Sequence, residues 1–146
     1  MTLTEWANLH RDEVIAEPTS SQEIGNLLAL MERELKDADS PLSLDGRFAH
    51  AFWACLTAAR IALRADGYRL RSTAHHYRAI ESLEYTLDIA PRIVSQLQAF
   101  RAKRAQVEYD MVDFVTTTEF NEVQELAGEL KKKLLEWLRT EHNDLV

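Results

Sequence analysis

From Phe120 to Trp137 the apolar residues Phe120, Val123, Ala127, Leu130, Leu134 and Trp137 follow one another at steps of 3, 4, 3, 4 and 3. Only a helical backbone keeps such a series on one face, since a strand turns its side chains over every second residue. The same rhythm runs through Ile24, Leu27, Leu28, Met31, Leu35 and Ala38. It returns in Ile93, Leu97, Phe100, position 104, Val107, Met111 and Phe114. With 4 Gly and 3 Pro among 146 residues, the chain has few places to break. It is therefore expected to be all-α: an antiparallel up-and-down bundle of about five helices, because short connections make neighbours run antiparallel.

The breaks set the boundaries. Ser20 with Glu23 forms a capping box that opens the first helix. Ser40-Pro41 ends it, since proline cannot continue the hydrogen-bond ladder. Gly67 suits a C-terminal stop, Pro91 a first helical turn, and Thr116 with Glu119 a second capping box. These signals predict helices over 21–39, 44–66, 72–88, 91–113 and 118–140. Residues 1–20 are read as an N-terminal arm and 21–146 as a single domain, with no strand, internal repeat or low-complexity segment.

No apolar run approaches the roughly 20 residues that span a bilayer, so no membrane partner is expected. The start, MTLTEWANLHRDE, lacks a basic region followed by an apolar one, which argues against a signal peptide and for a cytoplasmic location. Cys55 is the single cysteine, so an internal disulfide is excluded. A net charge of −7 argues against broad nucleic-acid binding, but the charge is unevenly spread. Residues 60–104 carry 9 Lys and Arg against 4 Asp and Glu, while each flank carries 4 against 10. The basic block can face an anionic ligand, or an acidic flank of the same fold or of a second subunit.

Within the stripe that contains Phe100, only Arg104 is not apolar. An arginine on a core seam costs several kcal/mol unless it is paired. It needs a carboxylate such as Glu108 one turn on, a subunit interface or a polar groove. Arg101 lies about 60° round the helix, so the two guanidinium groups can converge on one phosphate. Lys103 falls on another side and reads as solvated, as does the run Lys131–Lys133. Tyr109 reads as an edge-of-core tyrosine or a functional hydroxyl, and Asp110 beside it can orient a donor. His76 lies on the stripe His76, Ile80, Leu83, Leu87, either as a hydrogen-bonded core histidine or as an acid–base group facing the arginines, with His75 next to it. Adjacent histidines point to different helix faces, so no metal site is assigned. No glycine-rich phosphate loop or nucleophile elbow occurs, and no cofactor is expected.

The segment Phe100-Arg101-Ala102-Lys103-Arg104 followed by Glu108-Tyr109-Asp110, the Gly67-Tyr68-Arg69 turn and the His75-His76-Tyr77 helix start resemble small prokaryotic HEPN-like proteins over roughly residues 21–140. The resemblance implies an antiparallel helical bundle, commonly a homodimer. It further implies a role with RNA or nucleotides in toxin–antitoxin or defence systems, often beside a nucleotidyltransferase. Many relatives are metal-independent RNases with an arginine followed four to six residues later by a histidine. With Arg104 as that arginine, Tyr109 occupies the histidine position. Tyrosine titrates near 10, which makes it a poor general base at neutral pH. Three functions are thus carried forward: an RNA- or nucleotide-interacting module, an RNase using Arg104 and Tyr109 with His76 as catalytic groups, and a non-catalytic interaction dimer. The groove expected for the first two is lined by Arg101, Arg104 and Tyr109, with Asp110 beside them and His75 or His76 near its mouth.

Overall fold

A computed structural model describes residues 1–72, 75–109 and 112–146, with side chains throughout except at 107–109. The order of elements is α1 (Leu3–Leu9), β1 (Val14–Ala16), α2 (Ser21–Ala38), α3 (Leu44–Ala65), β2 (Tyr68–Leu70), α4 (His76–Thr86), α5 (Pro91–Tyr109) and α6 (Thr117–Glu141), then a closing 3-10 turn, Asn143–Leu145. Among the described residues the chain is all-α apart from one two-stranded sheet. None of the described helices is long and apolar enough to cross a membrane.

The middle of α3 is apolar on every side. Its run Ala51, Phe52, Ala54, Cys55, Leu56, Ala58, Ala59, Ile61, Ala62 is buried throughout, which fits a helix surrounded by others. Helices α2, α4, α5 and α6 all contact it. Each contributes the face that its sequence periodicity marks: Ile24 and Met31 from α2, Ile80 and Leu83 from α4, Leu97 and Phe100 from α5, and Phe120, Val123, Ala127, Leu130 and Leu134 from α6. The stop and start signals act as expected, except that the box at Ser20 is one-sided, the Glu23 carboxylate bonding to Thr19 and Arg64 instead. Ser20 accepts from the Glu23 N–H, Gly67 takes the left-handed φ of 89°, α5 opens at Pro91, and Thr116 and Glu119 cap α6 reciprocally.

The N-terminal stretch departs from the expected arm. Thr2 and Glu5 form a capping box like that at Thr116, which opens α1, and Trp6 is 1% exposed in a small cluster with Ala7, Val14 and Leu63. Strand β1 pairs antiparallel with β2, Val14 opposite Leu70 and Ala16 opposite Tyr68. No strand was expected because three residues are too few to show alternation. The pair persists by resting on the packed Trp6 and Leu63 rather than on its own ladder. With β2 occupying 68–70, the third long helix begins at His76 and not at Ser72. It also ends early, at Thr86, where the chain turns through Asp88 with φ 55°. Nor does α5 reach residue 113: Asp113 has φ 57°, and Asp45 accepts from the N–H groups of Asp113 at 2.7 Å and Val115 at 3.1 Å.

One arginine gathers several carbonyls of the N-terminal segment onto the helices. Arg64 of α3 is buried and donates to the backbone carbonyls of Glu17 at 3.0 Å, Pro18 at 3.0 Å and Tyr68 at 3.1 Å, and to the Glu23 carboxylate at 2.8 Å. Its guanidinium supplies donors where the chain passes between strand and helix without a ladder of its own.

Candidate anion-binding site

The start of α4 and the middle of α5 enclose a cavity of ≈ 220 Å³. Its walls are His75, His76 and Tyr77 from the α4 end, Arg101, Arg104 and Ala105 from α5, Phe52 from α3, and Glu13 from beside β1. Four side chains singled out in the sequence, Arg101, Arg104, His75 and His76, therefore meet at one place. The helical period on α5 and the opening turn of α4 bring them there. The side chains of Val107, Glu108 and Tyr109, and the whole of Asp110 and Met111, lie outside the described residues.

Arg104 is not sunk in the seam as its spacing suggested. Leu97 and Phe100 before it are buried, but Arg104 itself is half-buried, with its guanidinium carbon 4.4 Å from the Trp53 ring centre. The indole face replaces an apolar neighbour and accepts the cation at its electron-rich surface. The same indole meets the His76 ring edge-on, with centroids 5.3 Å apart and planes at 89°. Trp53 thus holds both an arginine and a histidine of the site. Arg101 is fixed differently. Its Nε donates to Gln98 Oε1 at 3.0 Å, and Gln98 Nε2 donates to the Tyr77 carbonyl at 2.9 Å, which ties α5 to α4 across the cavity. The Arg101 guanidinium also lies over the Tyr77 ring at 5.6 Å.

Glu13 supplies the acidic wall. It sits 3.1 Å from His75 Nδ1 and 3.2 Å from Arg78 Nε, and Arg78 in turn reaches Glu81 at 2.9 Å. Trp6 Nε1 donates to that same Glu81 at 2.7 Å. Glu13 was passed over in the sequence because it belonged to the presumed arm. Lys103, expected to be solvated, is half-buried. It pairs with Glu119 at 3.1 Å and lies 3.5 Å over the Phe114 ring.

Beside the first cavity lies a second, of ≈ 210 Å³, with His76 in the wall of both. Its polar lining includes Arg60, Arg64, Arg69 and Arg71, and its apolar lining Leu27, Leu63, Leu70 and Ala79. The sequence showed the basic block but not that half of it would gather here. The Thr19 hydroxyl hydrogen bond and the Arg64 guanidinium hold the Glu23 carboxyl at this cavity below its ordinary range, against the opposing effect of partial burial.

Other titratable groups stand apart. Burial pushes the Cys55 thiol up to about 12, which leaves it protonated in the core. Burial likewise raises Asp66, whose carboxylate is 2.8 Å from His142 Nε2. Among the described residues, Glu34, Asp37 and His50 could offer donors to a metal ion, one from each within 4.8 Å of the others. His50 Nδ1 already lies 2.6 Å from Glu34 Oε2, so a simple hydrogen-bonded pair accounts for that geometry. The sequence reading missed this cluster because its members come from two helices. Near the site Phe100 is buried, and Trp53 and Trp137 pack against the core.

Compared with known protein families, with curated proteins and with solved structures, the chain matches none.

Proposed function

We propose that the chain is a HEPN-like helical module that binds RNA or a nucleotide through phosphate contacts in the α4–α5 cavity. The observation that carries this reading is the meeting of Arg101 and Arg104 from one helix with His75 and His76 at the start of another, around ≈ 220 Å³ of open space. Arginines recognise phosphate oxygens by forked, charge-assisted hydrogen bonds, and aromatic faces such as Trp53 and Tyr77 keep the guanidinium groups oriented. The antiparallel bundle, the homodimer, the nucleotidyltransferase partner and the toxin–antitoxin or defence setting rest on the resemblance of the Arg101–Asp110 segment to HEPN-like proteins.

Fluorescence anisotropy with single-stranded RNA and with ATP, run beside thermal melting, tests the reading on wild type and Arg104→Ala. Arg104 is half-buried over Trp53, so its loss should remove a cation–π contact of about 1 kcal/mol and lower the melting temperature by about 2–4 °C. Binding should weaken about tenfold or more and fall with added salt. A large loss of stability together with no ligand bound by the wild type would falsify the proposal and leave Arg104 as a purely structural residue.

A second reading, a metal-independent RNase, has one observation in its favour: His76 and Arg104 share Trp53 as a common support. Cleavage of RNA by purified protein in chelator, lost in His76→Ala, would establish it. Intact RNA under those conditions would leave binding alone.

A further inference from the structure

We propose that the second cavity is a further subsite for the same ligand, so that the protein takes a single-stranded RNA segment rather than a lone nucleotide. The inference rests on the reading of the α4–α5 cavity as a phosphate site. Four of the nine basic residues of the 60–104 block line this second cavity and two line the first, and His76 stands in the wall between them. A basic track with a shared wall is the arrangement a polyanion would follow.

The local charge leaves two cations in excess. Arg64 is saturated by three carbonyls and Glu23. Arg69 pairs with Glu17 at 2.7 Å. Setting Arg64 and Arg69 against Glu17 and Glu23 leaves Arg60 and Arg71 uncompensated. Arg60 makes no hydrogen bond or ion pair among the described residues, although its charge helps to lower Glu23. Arg71 is exposed and uses only its Nε, on the Arg11 carbonyl at 3.2 Å, so both of its terminal nitrogens keep their hydrogens for a ligand.

The apolar lining identifies the rest of the ligand. Besides the arginines, the cavity is lined by Leu27 and Leu70, which are partly exposed, and by Leu63 and Ala79, which are buried. A bare phosphate would gain nothing from Leu27 and Leu70. A nucleotide gains from both parts, its base on the apolar side chains and its phosphate on Arg60 and Arg71. Unpaired bases can be splayed into such a pocket, whereas bases in a duplex are stacked away from it. A segment with one phosphate at Arg101 and Arg104 and the next nucleotide past His76 would occupy both cavities.

The test uses the full chain and a fluorescein-labelled oligouridylate of about eight nucleotides, with uridine monophosphate as an unlabelled competitor. Arg60→Gln should weaken the oligonucleotide about tenfold, the scale of a lost charge-assisted hydrogen bond. It should lower the slope of log affinity against log salt by about 0.7, the value for one phosphate on a single strand. Competition by the mononucleotide, seated at Arg101 and Arg104, should be unchanged. Arg71→Gln, at an exposed position with little bearing on folding, should repeat the pattern. Wild-type oligonucleotide affinity in both variants, with loss in Arg104→Gln, would overturn the second subsite and leave the first cavity standing. A wild type that binds neither probe would overturn both.

Discussion

Replacing Arg64 with alanine should be among the most damaging single changes outside the apolar core. The side chain is 9% exposed and spans three parts of the chain: the turn before α2, the start of β2, and α2 itself through Glu23. Two kinds of acceptor would lose it. Glu23 is 43% exposed and regains water at once, so its loss should cost under about 1 kcal/mol. The carbonyls of Glu17, Pro18 and Tyr68 are different. Each costs about 1–3 kcal/mol if stranded, and the neighbouring cavity of ≈ 210 Å³ lets water reach some of them. Taking the lower part of that range for each gives about 3–5 kcal/mol, comparable to breaking a buried ion pair. Against a total stability of about 5–15 kcal/mol for a domain, such a loss is easily measured. Urea unfolding followed by tryptophan fluorescence and by circular dichroism gives the change, with Glu23→Gln as the control at under about 1 kcal/mol. If Glu23→Gln cost as much as Arg64→Ala, or if Arg64→Ala cost less than about 1 kcal/mol, the carbonyl contacts would not be what fastens the N-terminal segment.

Two further outcomes follow from the titrating groups. The Thr116 N–H, more than the Lys103 pair, holds the Glu119 carboxyl below its ordinary 4.5, so this group stabilises the fold above that pH and loses its contribution as pH falls through its lowered native value. Glu119→Gln, which keeps an acceptor for the cap but no charge, should flatten the fall in melting temperature on acidification, and an unchanged acid profile would count against this account. Cys55, with its thiol pushed up to about 12 by burial, should be silent to a thiol reagent at neutral pH and react at one equivalent in denaturant. Rapid modification of the native protein would contradict its place in the core.

The long helices were legible because each buries a stripe whose period survives in the sequence. Leu97 and Phe100, or Val123, Leu130 and Leu134, fall inward where the steps of three and four put them. What could not be read is what depends on partners far along the chain. Val14-Ile15-Ala16 has no strand pattern of its own and becomes a strand only opposite Tyr68–Leu70. Thr2-Leu3-Thr4-Glu5 before Trp6 did carry a local signal, the capping-box spacing recognised at Thr116 and overlooked here. In the candidate site, helical phase put Arg101 near Arg104 and His75 beside His76. The meeting of the two pairs, with Glu13 and Trp53 between and around them, is a property of packing. Arg104 also meets an aromatic face on α3, a neighbour that no single-helix pattern contains.

The acidic wall of the first cavity comes from the opening stretch of the chain. Glu13 is placed by the β1–β2 pair, and β2 ends at Leu70. During synthesis Trp6 and Glu13 emerge before α3 and β2, the elements against which they are placed. Trp6 meets Leu63 and Glu81 only once those later segments are present. The arginines of α5 come later still. The site therefore joins Glu13 to Arg101 and Arg104 from far along the chain, and only the folded chain brings them together.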